Sequence, residues 1–171
     1  MMSMQLDYKG LEFLKDAEGR EPQAYPDTGN HLTIGYGHLL TESELISGVL
    51  NARTMHGDTY TVQWMDGLSQ NEMDDVFRYD LISVEHTVNK YVRVPLQQYH
   101  YNALVSFTFN VGNTGFATST LLRLLNQGKY SAVPAQLRRW VYETRNGVKR
   151  RVPGLVNRRE KEVKMWLNRW D

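Results

Sequence analysis

A chain of 171 residues, 41% hydrophobic and 23% charged, with 10 Tyr, 4 Trp and 5 Phe, can bury a core, and this excludes disorder as its main state. The absence of cysteine excludes a disulfide scaffold, a thiol nucleophile and any cysteine-bearing metal site. The formal net charge of +1 conceals a gradient, because residues 1–137 carry 9 basic and 15 acidic side chains whereas residues 138–171 carry 11 and 4.

No apolar run approaches the roughly 18 residues that span a bilayer, and the opening residues are too polar for a secretory signal. The first element is a helix from Tyr8 to Ala17, with apolar residues at 8, 11, 14 and 17, ended by Glu18-Gly19. From Tyr25 to His38 the sequence turns to Gly, Pro, Asn and Asp around β-prone Leu32-Thr33-Ile34 and Tyr36, which predicts a small hairpin or three-stranded sheet. Thr41 to Glu44 and Ser69 to Glu72 both have capping-box spacing, the second ahead of a long helix containing Met73, Val76, Phe77, Leu81, Val84 and Val88. Residues 51–67 read as a surface loop or ragged strand pair.

Pro95 suits a first helical turn, and Leu96 to Phe109 is apolar around most of its circumference, as in a central helix. Ser119 or Thr120 caps a short helix from Leu121 to Asn126, and helices are expected over Tyr130 to Tyr142 and Leu155 to Trp170. The fold class is α+β: mostly helical, with a small antiparallel β region. We expect one catalytic domain over 1–171, with a β-bearing lobe at about 20–68, a helical lobe at about 70–171 that includes the N-terminal helix, and a cleft between them.

Glycosidic cleavage needs an acid at the leaving oxygen and commonly a second carboxylate that activates water or stabilises the sugar cation. Glu18 at a helix end and Asp27 before a glycine-rich turn are candidates, with the Thr33 hydroxyl available to share a water with Asp27. By residue type alone, Asp27 could equally make an Asx-turn and Thr33 simply favour a strand. Tyr25 is a candidate sugar contact and Asn110 a candidate partner for an N-acetyl group, although Asn110 could instead cap its own helix.

Glu18-Gly19, Tyr25, Asp27 and the run Leu32-Thr33-Ile34-Gly35-Tyr36-Gly37-His38 resemble the bacteriophage T4-type lysozymes, the endolysins of glycoside hydrolase family 24. The similarity continues through Phe109-Asn110-Val111-Gly112, Ser119 to Leu122, Arg139-Trp140 and Gly154 to Glu160. The resemblance implies a lysozyme-like fold and a muramidase that hydrolyses the β-1,4 bond between N-acetylmuramic acid and N-acetylglucosamine in peptidoglycan. It implies Glu18 as general acid, Asp27 as the group that orients or activates water, Thr33 as an aid in holding that water, and inversion at the anomeric carbon, with carboxyl groups far enough apart to admit water. It also implies a structural His38 paired with an acid, and Arg158 close to the catalytic glutamate. No metal or cofactor is expected.

The basic C-terminal stretch offers Lys149, Arg150, Arg151, Lys161 and Lys164 as contacts for an anionic outer membrane or lipopolysaccharide, and Val163, Trp166, Leu167 and Trp170 fall at near-helical spacing beside them. No zinc finger, RNP or helix-turn-helix pattern supports nucleic acid. The competing readings are a lytic transglycosylase acting on the same bond and a non-catalytic envelope-binding module. The expected state is a monomer, held in the host cytoplasm until a holin lets it reach the periplasm.

Overall fold

The computed structural model describes residues 3–27 and 29–169. The chain divides into two units, residues 12–82 and residues 1–11 with 83–171, and two helices run through the division. The first, α1 (Tyr8–Glu18), starts in the larger unit, where Asp7 Oδ1 accepts the Gly10 amide at 2.9 Å and the Asn102 side-chain amide at 2.7 Å.

The 12–82 unit continues with β1 (Glu21–Pro26), β2 (Leu32–Gly35) and β3 (His38–Leu39), an antiparallel sheet in the order β1-β2-β3. Tyr25 pairs with Thr33 and Ile34 with His38. The short α2 (Glu42–Ser47) begins with the capping box expected at Thr41: the Glu44 amide donates to Thr41 Oγ1, and the Thr41 amide donates to Glu44 Oε1. Strands β4 (Val49–Arg53) and β5 (Thr59–Gln63) realise the strand-pair alternative for this stretch as a regular rather than ragged hairpin, because Leu50, Ala52 and Val62 alternate into the core. The long α3 (Gln70–Tyr91) starts with the second predicted capping box, formed by Ser69 and Glu72. Tyr36 stacks on Phe77 of this helix at 5.4 Å between ring centroids, and Met73, Val76 and Phe77 are buried.

In the larger unit, α4 (Gln98–Val111) buries every residue from Tyr101 to Thr108, as the apolar circumference of the sequence predicts. It starts at Gln98, later than Pro95 suggested, because the Gln97 amide donates to His100 Nδ1 at 3.1 Å and fixes the entry there. Burial lowers the pKa of His100, in keeping with a neutral ring whose Nδ1 accepts. The short α5 (Asn113–Ala117) and α6 (Thr120–Asn126) follow, with Ser119 capping α6 through the Leu122 amide at 3.1 Å.

The helix expected over Tyr130 to Tyr142 is not continuous. A 3₁₀ turn (Tyr130–Ala132) and α7 (Val133–Leu137) replace it, since Pro134 has no amide proton and is accommodated in a first turn rather than mid-helix. The chain then forms an unanticipated hairpin of β6 (Tyr142–Arg145) and β7 (Val148–Arg151). Asn146 and Gly147, with φ of 52° and 77°, supply the paired left-handed conformations that a two-residue hairpin turn requires.

The last helix, α8 (Pro153–Trp166), packs on α4 and α7. It ends before Trp170, which lies outside the described residues. Val163 and Trp166 are buried, and Trp166 sits 4.1 Å from His100 and stacks near Tyr130 at 6.5 Å between ring centroids. That apolar stripe is therefore core of this unit, while Leu167 remains partly exposed. Among the described residues, no helix is long and apolar enough to cross a membrane.

Candidate active site

Glu18 is the last residue of α1 and is half-buried. Its carboxylate lies against the β2–β3 turn, where a Cβ placed on Gly37 would stand 3.3 Å from Glu18 Oε2. Gly37 also has φ of +72°, so both the backbone and the space beside the carboxylate call for glycine.

The segment on either side of this carboxylate is tied to two residues of α3, Gln70 and Asp74. Arg20 Nε donates to Gln70 Oε1 at 2.6 Å, and Gln70 Nε2 donates to the Tyr36 hydroxyl at 2.8 Å and to Asp74 Oδ1 at 2.9 Å. Lys15, one turn before Glu18, bridges Glu12 and Asp74, each at 3.1 Å. Glu12, Lys15, Arg20, Tyr36 and Gln70 border an open depression of about 360 Å³. None of Gln70, Asp74 or Arg20 stood out in the sequence, because their roles come from pairing across separate elements.

Asp27 follows β1 directly. Its Oδ1 accepts the amides of Gly29 and His31, both at 2.9 Å, while its own amide donates to the His31 carbonyl at 2.7 Å. The Asx-turn and the candidate catalytic carboxylate are thus the same structure, not rivals. The His31 amide, opposed by a smaller desolvation cost and aided by the Gly29 amide, holds the Asp27 pKa below the ordinary carboxylate value. The His31 ring, 3.6 Å away, adds positive potential when protonated. With Oδ1 held by two amides, Oδ2 is, among the described residues, the oxygen open to a water.

Thr33 is buried on β2, opposite Tyr25, and among the described residues its hydroxyl makes one long 3.4 Å bond, to the His31 carbonyl. Strand alternation places Tyr25 and Thr33 on one face of the hairpin, and Asp27, two residues beyond Tyr25, continues that face. His38 lies between two acids: Nδ1 is 2.8 Å from Asp80 Oδ2 and Nε2 is 2.9 Å from Glu44 Oε1. Its ring joins β3 to α2 and α3. Among the described residues, no group of three or more His, Asp or Glu side chains has the arrangement of a metal site.

Asn110 and Arg158 belong to the larger unit. Asn110 Oδ1 accepts from Arg159 Nη2, so this side chain is already used in holding α8 to α4. Arg158 is buried and donates to Glu162 Oε2 at 3.2 Å and to the Ser106 carbonyl at 3.0 Å. Glu162, fully buried, also accepts from Arg159 Nη1 at 2.8 Å and the Ser106 hydroxyl at 2.6 Å. The spacing of 158, 159 and 162 by three and four residues on one helix was a readable signal for this cluster. Lys149, Arg150, Arg151, Lys161 and Lys164 are all exposed.

Comparison with known proteins identifies the family of the chain. The endolysin of Acyrthosiphon pisum secondary endosymbiont phage 1 is 33% identical over 159 residues, covering 93% of this chain and 95% of that protein. The structure of an endolysin from Escherichia coli O157:H7 phage FAHEc1 superposes with a TM-score of 0.81 at 30% identity, covering 98% of this chain and 96% of that one. The muramidase domain of SpmX from Asticaccaulis excentricus gives a TM-score of 0.76 at 27% identity, over 96% and 98% of the two chains. The Phage lysozyme profile matches residues 15–162, and the chain belongs to that family.

Proposed function

We propose that this lysozyme is a muramidase in which Glu18 protonates the leaving oxygen of the β-1,4 bond between N-acetylmuramic acid and N-acetylglucosamine, while Asp27 directs the attacking water. The supporting observation is the Asp27 carboxylate, pinned through Oδ1 by two backbone amides and continuing the hairpin face that carries Thr33. A carboxylate held this way stays ionised and does not rotate, which suits it to orient water and stabilise an oxocarbenium-like sugar.

In the inverting form of the reaction, the Glu18 proton passes to the departing O4 as the C1–O4 bond breaks. Water adds to C1 from the opposite face, and its proton passes to Asp27 Oδ2 as the new bond forms. Glu18 is left ionised and Asp27 protonated, and exchange with solvent restores both. Thr33 shares the water, its hydroxyl being engaged only weakly among the described residues. Tyr25 lies on the same face for a sugar contact, and Gln70 and Gly37 keep the surroundings of Glu18 in place.

The test is mass spectrometry of peptidoglycan digests. Hydrolysis adds one water to each product pair, whereas a transglycosylase would leave anhydro ends. Glu18→Gln should abolish products with the fold intact, Asp27→Asn should remove most of them, and Thr33→Ala should cost less than either. Normal turnover by Glu18→Gln would overturn the acid assignment. We further propose that the protein acts as a monomer in the periplasm, reached through a holin lesion, with peptidoglycan rather than nucleic acid as its partner.

A further inference from the structure

The β6–β7 hairpin is a second, unassigned feature. Few contacts tie it to other elements, and its register is fully defined: Tyr142 opposite Arg151, Glu143 opposite Arg150, Thr144 opposite Lys149 and Arg145 opposite Val148. Directly opposed residues of an antiparallel pair share a face, and so do residues two apart along a strand. The hairpin therefore has two faces of different chemistry. One carries Glu143, Arg145, Val148 and Arg150, where Glu143 sits opposite Arg150 and 3.8 Å from Arg145. The other carries Tyr142, Thr144, Lys149 and Arg151, with no acid.

On this second face all four residues are exposed, and neither Lys149 nor Arg151 has an ion-pair partner among the described residues. Lys149 Nζ lies 4.6 Å from the centroid of the Tyr142 ring, which remains 47% exposed. An aromatic ring, a hydroxyl and two unneutralised cations on one face match a ligand that offers sugar C–H surface, hydroxyl groups and negative charge together. We infer that this face binds an acidic glycan, specifically a glycan strand whose attached peptides carry free carboxylates. This rests on the muramidase reading and adds to it a wall-retaining site away from the hydrolytic residues in sequence. A bilayer is the poorer match, because the exposed aliphatic side chain, Val148, is on the opposite face.

The experiment uses full-length protein carrying Glu18→Gln, so that sacculi are bound without being digested. Adding Lys149→Gln and Arg151→Gln together should weaken sedimentation with intact sacculi about fivefold at moderate salt, in line with two exposed charge contacts. Stripping the stem peptides from the sacculi should reduce binding of the parent by a similar factor and remove the difference between parent and variant. Glu143→Gln, which raises net charge on the other face, should leave binding unchanged.

Equal binding of parent and double variant to intact sacculi would overturn the inference. So would an undiminished difference on peptide-free strands, or a gain from Glu143→Gln as large as the loss from the double variant. Tighter binding of the parent to phosphatidylglycerol vesicles or to duplex DNA than to sacculi would overturn it in favour of those partners. Failure of the wild-type protein to release muropeptides would instead sink the muramidase reading, an outcome distinct from any loss of sacculus binding.

Discussion

His38 offers a sharp test of how the small sheet is held. Burial by itself would lower its pKa, but the hydrogen bonds and charges of Asp80, and then of Glu44, outweigh that and raise it from 6.5 to about 9. With the side chain only 14% exposed, the pair interactions are poorly screened, and the shift corresponds to about 3 kcal/mol favouring the charged, folded form. Because the folded pKa lies above the unfolded one, this stabilisation is fully present below the ordinary histidine value. It declines as pH rises past 6.5 and is lost once pH passes about 9. Urea unfolding followed from about pH 6 to pH 10 should show the wild type losing about 3 kcal/mol more than His38→Gln, and nuclear magnetic resonance should find the ring titrating well above free histidine. Parallel pH curves for the two proteins, or a ring that titrates near 6.5, would refute the reasoning.

Two other substitutions test the remaining packing. Gly37→Ala places a methyl 3.3 Å from Glu18 Oε2 at a backbone φ of +72°. It should cost about 1–2 kcal/mol in urea unfolding and a larger proportion of kcat, since it displaces the proposed acid. Glu162→Leu removes the negative charge paired with Arg159, whose own pKa burial already lowers, and should destabilise the protein by about 3–5 kcal/mol in the same assay.

The elements that local chemistry dictates were legible from the sequence. Thr41 and Ser69 announce their helices because a capping box is written within four residues, and Tyr101 to Thr108 announces burial because a helix with no polar face has nowhere else to go. The β6–β7 hairpin was equally local. Asn146-Gly147 carries its own turn, but the helices expected over Tyr130 to Tyr142 and Leu155 to Trp170 leave it no strands to join. The surroundings of Glu18 were not legible in the same way. Arg20, Tyr36 and Gln70 meet only after the sheet, the turn and α3 have folded, and nothing in the spacing of 20, 36 and 70 signals that an amide will serve the other two.

The C-terminal charge shows why composition could not go further. Arg158 and Arg159 lie only seven or more residues beyond Lys149, Arg150 and Arg151, and all five raise the basic count of residues 138–171 equally. The first two are on the inner side of α8, where Glu162, Ser106 and backbone carbonyls compensate them; they bind the helix to the core and contribute little field outside it. The other three sit on a strand whose residues are all exposed, and their charge reaches solvent. Register then divides even these. Arg150 falls opposite Glu143, while Lys149 and Arg151 fall on the face that has no acid. A sum over the stretch treats five cations as one property, whereas the fold assigns two to cohesion, one to the hairpin face that also carries Glu143 and two to the face without an acid, which we infer meets an acidic polymer.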